Sequence, residues 1–356
     1  MRTTVEFKRG ICFCDKKITK TFICDWFQIY PLEDYINNEL KTSHYPFVLE
    51  YKISSNDVKR TSYEDLLEEA NKPLKEEDVD FFSKISHEYN VMIYILRLLT
   101  ILTNHHFFIY NVSESGWFMN LDGKKNEDFL CKYGSKIYVD SRLKHFGFIS
   151  EFTKTKYERI NLINHSHYYQ YPDIDNVEMG ELEMSQFSLD FFNKLESLSS
   201  VQKKYFDSAV VLINNGMKIR TEMKSLAFLA FISSIETMTA LEAKINKEEI
   251  EFECNSCKSI KNSNYSCGKC GKPIWGISQQ IKLYLEKYLS DDEKLKTAIN
   301  KLYNYRSKIA HAGSLLTGDI NFEWDDVEKR KEHYEALTAA MQYSKMSLVN
   351  YVLMNN

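Results

Sequence analysis

Four cysteines fall in two tight pairs, Cys254-Asn-Ser-Cys257 and Cys267-Gly-Lys-Cys270, with nine residues between the pairs. In each pair the two thiolates can converge on one ion, and a glycine after a cysteine, as at Gly271, lets the backbone turn so that its N–H groups face the sulfurs. Four thiolates favour a tetrahedral Zn2+ over the harder, oxygen-seeking ions, with an iron–sulfur cluster as the chemical rival. Four protein ligands leave no open position for water, so the metal is expected to be structural and no catalytic metal is expected. Such an ion would clip a loop, residues 252–275, that is too short and polar to build its own core. Its lysines, Lys258, Lys261, Lys269 and Lys272, are either solvated charge or a means of reaching RNA.

Arg306 and His311 form the second constellation. Leu295, Ile299, Leu302 and Ile309 recur at helical steps, and Arg306 sits in that stripe as a permanent charge that must find a counter-charge or a polar cleft. His311 lies five residues on, about 140° further round an ideal helix, so within one chain the two side chains need not meet. Two copies across a symmetric dimer would bring both pairs into one cleft. Ala312-Gly313 ends the helix and leaves His311 at its carbonyl end, where the dipole favours an imidazolium suited to proton transfer. The spacing alone decides nothing, because the dipole favours Arg and His near any helix C-terminus. Arg159-Ile-Asn-Leu-Ile-Asn-His165 is a second match, set aside as lying in the N-terminal half, outside any bundle.

The context of the first pair is more specific. The run Ala298-Ile-Asn-Lys-Leu-Tyr-Asn-Tyr-Arg306-Ser-Lys-Ile-Ala-His311-Ala-Gly313 resembles the motif helix of the HEPN superfamily, particularly its Apea-like branch. The earlier run Phe231-Ile-Ser-Ser-Ile-Glu236 resembles a helix of the same family that also carries an Ile-Glu step. The resemblance covers about residues 200–353 and leaves the N-terminal half unexplained. It implies a metal-independent endoribonuclease working as a homodimer, in which Arg and His meet at the interface, activate the ribose 2′-OH and leave a 2′,3′-cyclic phosphate. Carried onto this chain, His311 is the general acid or base and Arg306 holds the scissile phosphate. Glu236 is the candidate partner of Arg306. Active members often carry Asn, Asp or His after the motif Arg; here Ser307 stands there, which can hydrogen-bond but cannot supply a charge. The family also implies an RNA substrate such as tRNA and a toxin-like or anti-phage role, for which a phage component is a candidate trigger. The competing readings are a non-catalytic dimeric module that binds RNA or protein, and a DNA-binding regulator using the zinc loop.

These residues need elements to position them. The expected fold class is an α+β N-terminal domain followed by an all-α HEPN-like bundle with a small zinc-ribbon-like insertion. Residues 1–172 are read as the α+β domain of unknown role, a candidate sensor, with strands in Lys20–Ile29, Phe47–Ile53, Phe107–Val112 and Lys136–Asp140 and a helix over Glu76–Thr103. Residues 173–198 are read as an acidic linker region and the start of the helical part, because Pro172–Met184 is acidic and lacks apolar periodicity. Residues 199–356 then read as helices over Ser200–Asn215, Met223–Lys244, Ile277–Leu289, Asp291 to about Ala310, and Val327–Leu353, the second apolar on nearly all sides.

Composition narrows the function classes. At 44% hydrophobic and 27% charged residues the chain has an ordinary globular balance. The net charge of −4 argues against indiscriminate coating of nucleic acid, yet Cys254 to His311 carries a net +7, enough to steer a polyanion to one region. The apolar run Val91–Thr103 is too short to cross a bilayer, the N-terminus is charged where a secretory signal is apolar, and the expectation is a cytoplasmic protein with no membrane partner. No phosphate-binding glycine loop, Ser-His-Asp signature or HExxH is present. His105-His106 and His165-x-His167 lack further ligands at metal spacing and read as packing residues.

Overall fold

The structure is a computed structural model that describes residues 5–33, 35–37, 44–54, 76–110, 115–119, 129–133, 137–140, 147–170, 180–245, 249–251, 253–254, 256–263, 267–272, 276–319 and 326–355. A strand-rich N-terminal region is followed by a helical C-terminal region with a cysteine cluster. The expected linker Pro172–Met184 lies outside the described residues as far as position 179.

The chain forms two compact units that interleave: residues 1–162 and 173–184 make one, residues 163–172 and 185–356 the other. In the first unit, β1 (Val5–Cys14), β2 (Phe22–Ile23), β3 (Phe27–Pro31), β5 (Tyr45–Ser54), β6 (Phe107–Phe108) and β10 (Gly147–Ile149) form an antiparallel six-stranded sheet in the order β10-β1-β5-β3-β2, with β6 also pairing β1. A second sheet runs β4 (Tyr35–Asn37), β9 (Ile137–Asp140), β8 (Phe129–Tyr133), β7 (Ser115–Met119). The β-branched and aromatic runs give these strands their faces: Ile11, Phe13, Phe27, Ile29, Phe47 and Leu49 are buried.

The 27-residue helix α1 (Glu76–Leu102) brings Met92, Ile95, Leu96 and Leu99 into the core of this unit. A buried ion pair, Lys8 Nζ to Glu88 Oε1 at 2.9 Å, ties β1 to α1. On β5 the fully buried Glu50 accepts from Arg9 Nε (2.9 Å) and Nη2 (2.7 Å), Gln28 Nε2 (2.6 Å), Tyr30 hydroxyl (2.9 Å), and the N–H and hydroxyl of Thr153 (2.8 and 2.7 Å). The carboxylate thereby binds three strands to the segment after β10. Burial alone would raise its pKa, but those donors hold it below the usual carboxylate value.

A separate two-stranded sheet pairs β11 (Asn161–Ile163) with β12 (Glu183–Ser185). The second unit holds α2 (His165–Gln170), α3 (Ser188–Leu195), α4 (Ser200–Ile219), α5 (Lys224–Ile245), α6 (Ile277–Tyr288), α7 (Glu293–Ala312) and α8 (Val327–Met354), with a small hairpin of β13 (Glu249–Glu251) and β14 (Lys261–Ser263). The Ser run before α4 works as expected: Ser199 and Gln202 close a reciprocal capping box. Helices α4 and α5 approach so closely that Gly216 faces the Phe231 ring.

Helix α5 is long and apolar enough to span a bilayer by length and composition, but more than half of it is buried among its neighbours. Its buried Glu242 accepts from the Tyr288 hydroxyl (2.5 Å) and Lys287 Nζ (2.9 Å), and Asn350 on α8 donates to the Tyr288 carbonyl at 2.7 Å. This network locks α5, α6 and α8 in register.

One sequence reading is corrected here. His165 opens α2 inside the helical unit rather than lying outside any bundle. It is buried between the Ser185 hydroxyl (Nδ1, 2.6 Å) and Asn350 Oδ1 (Nε2, 2.7 Å). Arg159 belongs to the other unit.

Candidate functional site

Helix α7 starts cleanly because the Asp292 side chain accepts from the Lys294 N–H. Leu295, Ile299, Leu302 and Ile309 are its buried stripe, as their spacing predicts. Arg306 lies within that stripe by helical position and meets Glu236 of α5: guanidinium Nε to carboxylate Oε1 is 3.1 Å. The ion pair sits near the surface, with 27% and 21% of the two side chains exposed. The guanidinium carbon also lies 5.8 Å from the centre of the Tyr303 ring, whose phenol burial raises above its usual pKa.

The other arm of Arg306 reaches His311. Arg306 Nη1 is 3.1 Å from His311 Nε2, so the two side chains do meet within one chain, by the length of the arginine. A guanidinium can only donate, which makes Nε2 the acceptor and places the ring proton on Nδ1. The result is an imidazole, exposed to solvent, with a lone pair directed at a cation that is anchored by a carboxylate. Ser307 is exposed beside it. Removing one proton and stabilising one developing negative charge are within reach of these groups.

The end of α7 is fixed by the backbone. Gly313 adopts a left-handed conformation (φ 64°), its N–H bonding to the Lys308 carbonyl, and the Ser314 N–H reaches the same oxygen at 3.2 Å. The chain then returns to the start of α5. The Leu316 N–H donates to Ser225 Oγ (2.7 Å), and the two Asp319 oxygens accept from the N–H groups of Lys224 and Ser225 at 2.6 Å each. Thr317 N–H and hydroxyl bond to Nδ1 of buried His333 at 2.9 and 3.0 Å. The segment that follows His311 therefore caps the helix that carries Glu236. Sequence reasoning missed Asp319 as a cap, since it lies 94 residues from the amide it satisfies.

The cysteine cluster is built from two equivalent turns. In the first, the Lys258 N–H bonds to the Cys254 carbonyl and the Cys254 N–H to the Ser259 carbonyl, both at 2.8 Å. In the second, the Gly271 N–H bonds to the Cys267 carbonyl (2.8 Å) and the Cys267 N–H to the Lys272 carbonyl (2.9 Å). The residue after each pair is left-handed, Gly271 at φ 68° and Lys258 at φ 60°. The expected glycine is thus present in one half and replaced by a strained lysine in the other.

Cys254, Cys257, Cys267 and Cys270 bring their sulfurs within 4.8 Å of one another, with Cys254 to Cys270 at 3.8 Å and Cys257 to Cys267 at 3.4 Å. Tetrahedral ligation with metal–sulfur bonds of about 2.3 Å needs sulfurs roughly 3.8 Å apart. The N–H groups of Cys257 and Ser256 hold the Cys254 thiol below its usual pKa, and those of Cys270 and Lys269 lower Cys267 to about 6. Cys257 is lowered by the Ser259 N–H, yet the neighbouring Cys267 sulfur, burial and the sulfurs of Cys270 and Cys254 push it up to about 12. Four sulfurs this close cannot all ionise without a cation among them, and these residues fit one metal ion. Among the described residues no other group of His, Cys, Asp or Glu has metal-binding geometry.

Comparison with family models, with curated proteins and with solved structures finds no match to this chain.

Proposed function

We propose that this chain is a HEPN-type endoribonuclease acting as a homodimer, with Arg306 and His311 as the catalytic pair and Glu236 holding Arg306. The observation that carries the reading is the guanidinium bridging a carboxylate on α5 and an imidazole at the exposed end of α7, both at 3.1 Å. A phosphate of RNA would take the place of His311 on the guanidinium and free Nε2. One imidazole of the dimer accepts the 2′-OH proton, the 2′ oxygen bonds to phosphorus, and the 5′ oxygen leaves with a proton from the second imidazole. The product ends in a 2′,3′-cyclic phosphate, and no metal takes part. The exposed apolar side chains Leu226 (53% exposed), Met223 and Leu315 are candidates for burial against a second copy of the chain.

The ion of the cysteine cluster is proposed to be one structural Zn2+, because sulfurs within 4.8 Å close around a single tetrahedral ion better than around several irons. The RNA class, tRNA foremost, and an anti-phage or toxin-like role with a phage-derived trigger rest on the family resemblance.

Incubating the purified protein with total tRNA in EDTA tests the reading. Fragments with cyclic phosphate ends, lost in His311→Ala and in Arg306→Ala, are expected. RNA bound but uncut would overturn the enzyme and favour a binding module. Cutting lost on chelation with the fold intact would bring metal chemistry forward.

A further inference from the structure

Lys301, Asn304, Lys308 and His311 step along α7 by three, four and three residues, and all four are exposed. They form one face that ends at the candidate catalytic imidazole, about 15 Å from Lys301 to His311 at the rise of an α-helix. Lys296 is held by Asp291 and Glu293 at 2.7 and 2.9 Å, and Arg306 by Glu236. By contrast, among the described residues the Lys308 ammonium has no ion-pair partner. Lys301 meets, among the described residues, only Glu332 at 3.0 Å, with both side chains 46% exposed, a contact that a stronger anion displaces readily. Lys308 and Lys301 can thus take up an anion beside His311, within a segment of net +7 in a chain of net −4.

We propose that this face is the track on which a single-stranded polyribonucleotide lies. Lys308 and Lys301 contact the phosphates beyond the scissile one, and the Asn304 amide hydrogen-bonds a sugar or base edge between them. The proposal rests on the ribonuclease reading and adds to it the groups that position the substrate. Lysines suit the role as mobile point charges that follow the backbone without reading its sequence.

The test uses the full-length, metal-loaded protein and a fluorescein-labelled single-stranded oligoribonucleotide. The double variant Lys301→Glu/Lys308→Glu is compared with wild type, with His311→Ala, and with Lys204→Glu/Lys218→Glu, which shifts net charge equally on α4. Helicity and metal content check each fold. The α7 reversal is expected to weaken RNA affinity and raise KM at least roughly tenfold while leaving kcat within about threefold, and to lower the salt slope of log K by about 1.4. His311→Ala should bind normally and not cut. An α7 reversal that matches the α4 control, or a wild type that binds no RNA, would overturn the track. A wild type that binds but never cuts removes the nuclease reading, and the affinity and salt slope then decide the track by themselves.

Discussion

The Arg306 guanidinium on α7 and the Glu236 carboxylate on α5 lie 3.1 Å apart across 70 residues of sequence. The pair is about a quarter exposed, so its worth to stability is small, about 0–1 kcal/mol. Glu236→Gln keeps an acceptor and removes the charge. Thermal unfolding should barely move, while the proposed RNA cleavage should fall roughly tenfold, because on that proposal Glu236 holds the guanidinium for the phosphate. A variant with wild-type cleavage would remove Glu236 from the site.

The Glu242 network predicts a larger structural effect away from the site. Tyr288→Phe leaves a buried carboxylate without its 2.5 Å donor. A loss of about 1–3 kcal/mol in urea unfolding is expected.

Gly216→Ala places a methyl group 2.7 Å from the buried Phe231 ring. The ring is fully buried, and overpacking of this kind costs about 1–3 kcal/mol. Urea midpoints measure it, and an unchanged midpoint would mean that α4 and α5 part more easily than their packing indicates.

The two units should respond to acid in different windows. His165 is held below its usual pKa chiefly by burial, so the unfolded chain binds the extra proton first. Stability of the helical unit is fully present above about pH 6.5 and declines as pH falls below it. Glu50 is held below its usual carboxylate value, so its contribution is present above about pH 4.5 and is lost as pH falls further. Unfolding followed separately by probes in each unit should show this order, and His165→Gln should flatten the upper window.

For the cysteine cluster, chelation is expected to release one ion per chain and to disorder the segment around the knuckle while the helical signal of α4, α5 and α8 persists. Lys258→Gly relieves a left-handed backbone at φ 60° and should retain metal better, by about 1 kcal/mol, or roughly fivefold in release. Cys267→Ser should abolish binding.

Legibility in the sequence followed the range of the interactions. The cysteine cluster, the helix ends at Ser199 and Gly313, and the buried stripe of α7 were readable because each depends on neighbours within a few residues, while the α7 cap falls on Asp292 and not on the expected Asp291. The strand Phe47–Ile53 was readable from its β-branched and aromatic run, although Glu50 within it carried the unread hint of a buried hub. The Arg306 to His311 contact was not readable, since an ideal helix separates them by angle and only the arginine's reach closes the gap. Asp319 capping α5 and His165 joining the helical unit were invisible for a similar reason: their partners are distant in sequence.

The interleaving of the two units sets a rule for dissecting the protein. A fragment begun at Ser185 would forfeit α2, exposing the Asn350 amide and the Ser185 hydroxyl that His165 satisfies at 2.7 and 2.6 Å. A fragment ended at residue 172 would lose the short strand Glu183–Ser185 and with it the partner of Asn161–Ile163. Neither unit is one continuous stretch of sequence, so no single cut excises either of them whole, and any dissection of the protein has to carry both segments of a unit.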